Sequence, residues 1–435
     1  MNIKDPKKLF IIIGAIVVFL LLILIIVLMT RKDDTKTPNS QTNSDLVEIE
    51  YWGLWEPESI MEPIIKEYEA INQNVKIKYS QRSFSDYEAT LYTRLQQGKA
   101  GESPAPDIVK INNTWLPKFE SLLTSLPQNI MGQSEYAETF FPTCTEDFTG
   151  VNGELYAIPL GIDGLALYYN KVLLSQEGVS EPPRDWDGVV ELAKKLTKKD
   201  SAGRITQAGL AIGTSNNVYH AADILSFLFL QNNIEVSNYQ GGILQVDLDN
   251  TKANSALRFY KTFVDEHEVW SPDLPLDLEM FFRGELAMFF APSWRVFDII
   301  EAAPAIEFDV VPAPQLEAND PVYYSMYWGE TVSTSSKNPE EAWKFIKFLS
   351  EKENMQKFHA ASSTIRAFGQ PYSRQDLATE LPTTKYVSAI LEMAPQMRSW
   401  KMSQNPTVED SLKKGISENS FETSQVEINQ FLSGL

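Results

Sequence analysis

The sequence has almost no cysteine. Cys144 is the single one in 435 residues, so no disulfide can close within the chain and no thiolate cluster can hold a metal. Histidine is nearly as scarce: His220, His267 and His359 stand in no motif around Cys144. Thiol catalysis therefore lacks its base, and Cys144 reads as a passive cysteine. Positive charge is short as well. Lys plus Arg number 38 against 58 Asp plus Glu, a formal charge of −20. Lys4, Asp5, Lys7 and Lys8 together contribute +2, so the chain beyond them carries −22. That balance excludes the basic footprint that nucleic acid requires. It also disfavours a strongly anionic ligand, short of a local basic pocket. The chain lacks a P-loop, a GxGxxG after a strand, a nucleophile elbow, an HExxH and an EF-hand loop. Nothing signals phosphate, dinucleotide or metal chemistry, and no cofactor or metal is expected.

One long hydrophobic run is present. Leu9 to Met29 carries no charge, and about 20 apolar residues are enough for a helix to span a bilayer. A cleavable signal has a shorter apolar core, about 7–15 residues, and a small-residue cleavage site. Here the run ends in Thr30, Arg31 and Lys32, with no A-x-A and no following cysteine for a lipid. We read residues 1–8 as a cytoplasmic stub, 9–29 as an uncleaved single-pass anchor and 30–46 as a flexible polar linker. Lys4, Lys7 and Lys8 before the run, with a large domain after it, place the N-terminus inside and that domain outside the cytoplasm.

The remainder has the composition of a globular protein with a sizeable core, 43% hydrophobic and 11% aromatic, and the length suits two or three domains. Val47, Ile49 and Tyr51 alternate with polar or larger neighbours at strand period. Ile60, Met61, Ile64, Ile65, Tyr68 and Ile71 then share a helical face, with Pro57 near its start. Val75, Ile77 and Tyr79 alternate again. A second helix runs from a cap at Ser85 through Leu91 and Leu95 to Gly98, and Ile108–Ile111 is a short buried strand. This β-α-β-α-β order predicts a parallel sheet with covering helices, whose ligands bind beyond the C-terminal strand ends. The loops there hold Trp55, Glu56, Asp86, Asn112, Asn113 and Trp115.

Further along, six blocks fall in a telling order: GELYAIPLGIDGLALYYNKVLL from Gly153, PPRDWDGVVELAKKL from Pro182, ALRFYKTFVDE from Ala256, FFRGELAMFFAPSW from Phe281, FDVVPAPQ from Phe308 and SKNPEEAWKFIKFLSEKENMQKF from Ser336. The chain from Val47 onward resembles the extracellular solute-binding proteins of ABC sugar importers, the group that includes maltose-binding protein. Two departures stand out. The Gly-x-Pro-Ala turn frequent after the late helix is replaced by Ser363-Thr364-Ile365-Arg366-Ala367, and the lipid-bearing cysteine is missing.

The resemblance implies a type II periplasmic-binding-protein-like fold, two α/β lobes each built on a mostly parallel sheet flanked by helices. It implies lobe one at 47–158 plus 315–358, lobe two at 160–314 plus 364–435, and crossings near Pro159, Pro312 and Ser363. It implies ligand capture between hinged lobes and delivery to an ABC permease by a monomer, with no catalysis. A sugar needs aromatic platforms for its apolar faces and polar groups for its hydroxyls. On those grounds Trp294, Asp163, Trp328, Trp55 and Trp400 are the leading ligand residues, with Asn113, Asp86, Glu56, Arg366 and Tyr219 behind them. Trp343, Trp186 and Trp270 read as packing residues, while Trp52 could face either way. Two other readings stay open: a tethered sugar receptor or adhesin acting through a partner, and a glycan-acting enzyme, which would need two carboxylates at a fixed separation.

Overall fold

A computed structural model of the chain describes residues 46–317, 319–378, 380 and 385–435. The expected stub and anchor, and nearly all of the linker, lie outside the described residues. Among the described residues no helix is long and apolar enough to cross a membrane.

In chain order the strands are β1 (Val47–Leu54), β2 (Val75–Arg82), β3 (Ile108–Asn112), β4 (Leu123–Thr124), β5 (Ile158–Pro159), β6 (Ala166–Asn170), β7 (Lys198–Lys199), β8 (Ile205–Leu210), β9 (Ser237–Gln240), β10 (Ile243–Val246), β11 (Leu286–Ala291), β12 (Phe308–Val311), β13 (Tyr323–Tyr324), β14 (Trp328–Ser333) and β15 (Met397–Arg398). They build two principal sheets. The first has the order β2-β1-β3-β14-β4, with β5 also on β14; the second has the order β12-β6-β11-β8-β7. The β-α-β-α-β opening forms as the periodicity predicts, with β1 parallel to both β2 and β3.

The expectation of mostly parallel sheets is corrected. β14 runs antiparallel to β3, β4 and β5. In the second sheet β6 runs antiparallel to β11 and β12, and only β8 with β11 is parallel. The physical reason is the route of the chain. β6 and β14 each arrive from the other sheet, so each enters against the direction set by strands that follow a local helix crossover.

The helix starts also refine the reading. The second helix is Tyr87–Lys99 with Asp86, not Ser85, at its N-cap position, and it runs one residue past Gly98. Asp185 caps the helix Trp186–Leu196, its carboxylate accepting the Gly188 N–H at 2.7 Å. The late helical block is two helices, Pro339–Leu349 and Lys352–Ser362, broken at Ser350.

Central strands are apolar on both faces. Every residue of β3, β6 and β11 is buried. Trp343 and Trp270 are core, and Trp186 packs among Phe227, Phe259, Phe263 and Phe290. Trp52 is buried too, with the Arg82 guanidinium 3.9 Å over its ring. Cys144 is buried and its thiol is pushed up by burial.

Between the two sheets the connecting segments run side by side. Leu165 N–H donates to Tyr324 O (3.0 Å), and Met326 N–H to Asp163 O (2.9 Å). β13 pairs with β15, and Ile162 N–H reaches Pro371 O at 2.9 Å. After β12 the chain stays beside the second sheet as far as Gln315, whose N–H donates to Arg184 O. The helices Pro406–Glu418 and Glu422–Leu432 close the chain against the helix Ala221–Gln231 and against β10.

Candidate binding cleft

β1 ends in a tight turn. Trp55 has φ 61°, a left-handed backbone unusual for a bulky residue. The turn is fastened by its neighbours: Glu56 N–H donates to Leu54 O (2.7 Å), the Tyr79 hydroxyl to Glu56 O (2.7 Å) and the Gln81 amide to Trp55 O (3.1 Å). The turn carries the Trp55 ring, which stays 43% exposed, into a row of aromatics. Trp55 meets Trp328 edge-on at 5.2 Å and Phe84 at 5.9 Å, and Trp115 meets Trp328 at 4.9 Å. Trp328 begins β14 opposite Asn112, and the Trp115 indole N–H donates to Gln404 O at 3.0 Å. These rings form one aromatic wall, built on the first sheet.

Beneath it lies a buried ionic group. Lys110 and Glu330 face each other across β3 and β14, 3.1 Å apart, and Glu56 comes within 4.0 Å of the same ammonium. Tyr51 donates its hydroxyl to Glu330 (3.1 Å), and Arg366 pairs with Glu56 (3.2 Å). Burial alone would lower Lys110, but Glu330 and Glu56 outweigh it and leave it raised and charged. Burial raises Glu330, and Lys110 offsets only part of that.

The second sheet supplies a second group. Trp294 and Tyr219 are 41% and 54% exposed, and the buried Arg295 guanidinium sits between them, 4.3 Å from the Trp294 centroid and 4.5 Å from that of Tyr219. Asp298 holds that guanidinium at 2.5 Å. His220 lies against both rings, and its Nδ1 is hydrogen-bonded to the Asp223 carboxylate at 2.8 Å. Glu409 is pushed well above the usual carboxylate range, first by burial and then by Asp223. Across the two groups, several buried polar atoms make no hydrogen bond within the protein: Glu56 Oε2, Glu330 Oε2, His220 Nε2, Asp223 Oδ1, Arg295 Nη2 and Trp400 Nε1. Such atoms are costly unless a ligand or water satisfies them.

The other residues expected from the sequence fall as follows. The Asp163 carboxylate is buried and occupied within the protein, accepting from Ser293 N–H (3.0 Å), the Ser293 hydroxyl (2.7 Å) and Gly164 N–H (2.8 Å). Burial nonetheless pushes it up to about 6. Asn113 is fully buried, donating to Asp147 at 2.8 Å and accepting from the Tyr327 N–H at 3.2 Å. Trp400 is buried beside the connecting segments, and Asp86 is exposed at its helix start. Arg366 and Glu56 touch each other and stand behind Trp55. Phe84, His220, Asp223 and Arg295 were not singled out from the sequence. Phe84 was hidden by reading its loop for polar groups, and Arg295 by its own neighbour Trp294.

A cavity of about 360 Å³ lies elsewhere, lined by Lys171, Phe308, Lys385 and Tyr386 among others. Phe308 pairs with Asn170, the end of β6 farthest from the connecting segments, so this cavity is separate from the aromatic walls.

Two α/β sheets joined by paired crossing segments, with aromatic groups set on each, define the two-lobed fold of a binding protein. The chain belongs to the bacterial extracellular solute-binding protein family, which matches it over residues 55–356. It is therefore a binding protein and not an enzyme, with an extracytoplasmic binding domain. It is 24% identical over 341 residues to the multiple sugar-binding protein of Streptococcus mutans, covering 74% of this chain and 76% of that one. It is 24% identical over 312 residues to the diacetylchitobiose binding protein of Streptomyces coelicolor, covering 68% and 67%. Its fold matches that of a cyclo/maltodextrin-binding protein complexed with maltotetraose, with a TM-score of 0.71, 18% identity, and 89% and 96% of the two chains covered.

Proposed function

We propose that this protein is the substrate receptor of an ABC importer, that it captures an oligosaccharide between its lobes, and that it hands the sugar to a permease. The observation that carries this reading is the pair of aromatic groups, Trp55, Phe84 and Trp328 on one lobe and Tyr219 and Trp294 on the other. Both are backed by buried polar atoms that make no hydrogen bond within the protein. Flat rings take the C–H faces of a sugar, and the polar atoms take its hydroxyls. Two exposed rings, Trp55 and Phe84, stand 5.9 Å apart on lobe one, which favours an oligosaccharide over a monosaccharide. Relatives named for sugar ligands support the same class.

Within the set expected from the sequence we retain Trp55, Trp328, Trp294 and Tyr219 as ring platforms and Trp400 as a donor through its free indole N–H. Asp163 and Asn113 drop to structural roles, because their polar atoms are already engaged. Asp86 is left at the cleft rim, and Glu56 and Arg366 act from behind the wall. The lobe partition we propose is 47–158 with 315–358, and 160–314 with 364–435, shifted at two edges: Gln315 stays with the second lobe beside Arg184, and residues 373–375 lie on the first, paired with residues 139–141. The paired segments at Gly164–Ser325 and Tyr323–Met397 would flex as the lobes close on ligand. We also propose that residues 9–29 anchor a monomeric receptor in the membrane.

The test is a thermal-shift screen of residues 30–435 against mono- and oligosaccharides, with polyamines and phosphodiesters alongside. A ligand at a hundredfold excess over Kd stabilises by about 2.7 kcal/mol, so an oligosaccharide should raise the melting temperature clearly. A response only to the polyamines or phosphodiesters would discard the sugar.

A further inference from the structure

Arg366 stands at a junction that neither lobe's wall explains by itself. Its Nη2 pairs with Glu56, the residue directly after Trp55, at 3.2 Å. Its Nε–H donates to Phe368 O at 3.1 Å, which fixes the turn of its own segment. Its guanidinium lies 5.5 Å over Phe297, and the Phe368 ring packs on the same Phe297 at 4.7 Å. Phe297 follows Trp294 by three residues and lies in the helix Arg295–Ala302 of the second lobe. One short segment therefore holds the Trp55 turn on one side and the Trp294 helix on the other.

We infer that Arg366 is a positioning residue. It acts as a strut between the lobes, holding the Trp55 turn and the Trp294 helix at one spacing without touching the ligand. Three features argue for it. The charge under Trp55 balances only with Arg366 present, since Lys110 and Arg366 face Glu56 and Glu330. Without the guanidinium, Lys110 alone serves two buried carboxylates, the nearer at 3.1 Å and the other at 4.0 Å. The Trp55 backbone is held at φ 61°, a conformation that persists only when its surroundings enforce it. Glu56, gripped by Arg366, is the next residue in that turn. Finally, separating the lobes must break either the Glu56 pair or the Phe297 packing, because the two contacts lie on opposite sides of a segment three residues long. The consequence for specificity rests on the sugar-binding reading: the gap between the two aromatic groups is set by residues behind them.

The experiment reads lobe spacing without any sugar, so it stands or fails apart from the ligand assignment. Cys144 is buried, which lets dyes be placed selectively on Ile71→Cys and Glu301→Cys, one on each lobe. In the sugar-free protein, Arg366→Gln should lengthen and broaden the distance distribution, and Arg366→Lys should restore part of it. Phe297→Leu keeps every charge and most of the volume, and should give the same lengthening from the other side. It also serves where Arg366→Gln fails to fold. With a sugar hit in hand, Arg366→Gln should bind about tenfold more weakly, through a faster off-rate. Unchanged distance distributions in folded Arg366→Gln and Phe297→Leu would overturn the strut, whatever the sugar screen returns.

Discussion

At the scale of single residues, the clearest case is Asp163, because its position and its chemistry point in different directions. The sequence places it where a carboxylate could meet ligand, yet the fold gives it to Ser293 and Gly164. Burial outweighs those donors and lifts it from 3.8 to about 6. For an acid raised on folding, the native state binds the proton more tightly than the unfolded chain. Stability is therefore fullest below the unfolded value and falls as pH rises toward the folded one. Compared with Asp163→Asn, which does not titrate, the wild type should lose roughly 3 kcal/mol of unfolding free energy between about pH 4 and pH 6, and then stay level. Urea unfolding across that range measures the difference. A wild type that gains stability relative to the variant as pH rises would mean that the donors, not burial, dominate. The same conflict explains Asn113, which was legible as polar and near a strand end but not as the partner of Asp147 and Tyr327. Those partners lie far away in sequence, and no local pattern announces them.

At the scale of elements, legibility follows the range of the interactions. The opening strands, their helices and the buried strand at Ile108 were readable because periodicity is local and their pairing is parallel, with β1 between β2 and β3. The direction of β6 and β14 was not, since it depends on a crossing between lobes rather than on any residue within the strand. The aromatic platforms at Trp55, Trp328, Trp294 and Tyr219 were legible as residue types. The groups that hold them were not: Lys110 and Glu330 meet through strand register, and Arg295 meets Tyr219 through a contact across the second lobe. One element read from composition alone is the apolar run 9–29, about the length a bilayer requires. With it intact, the protein should remain in membranes after carbonate washing and leave only with detergent. Release by carbonate, or a mature N-terminus beyond residue 29, would rule the anchor out.

At the scale of the whole molecule, two lobes each carry aromatic rings over buried polar atoms. A solute touching both walls stabilises the closed form, because only there are both sets of contacts made. The −20 net charge is not what the proposed recognition uses: it rests on the rings and on the buried polar atoms behind them. Calorimetric titration of the best oligosaccharide into wild type, Trp55→Ala, Trp294→Ala and the double variant tests this most directly. The prediction is a loss of about tenfold or more in affinity for each single change. The double variant should lose less than the sum of the two, because weakening one wall already forfeits part of what closure gives. Wild-type affinity in both single variants would contradict a sugar held between these rings.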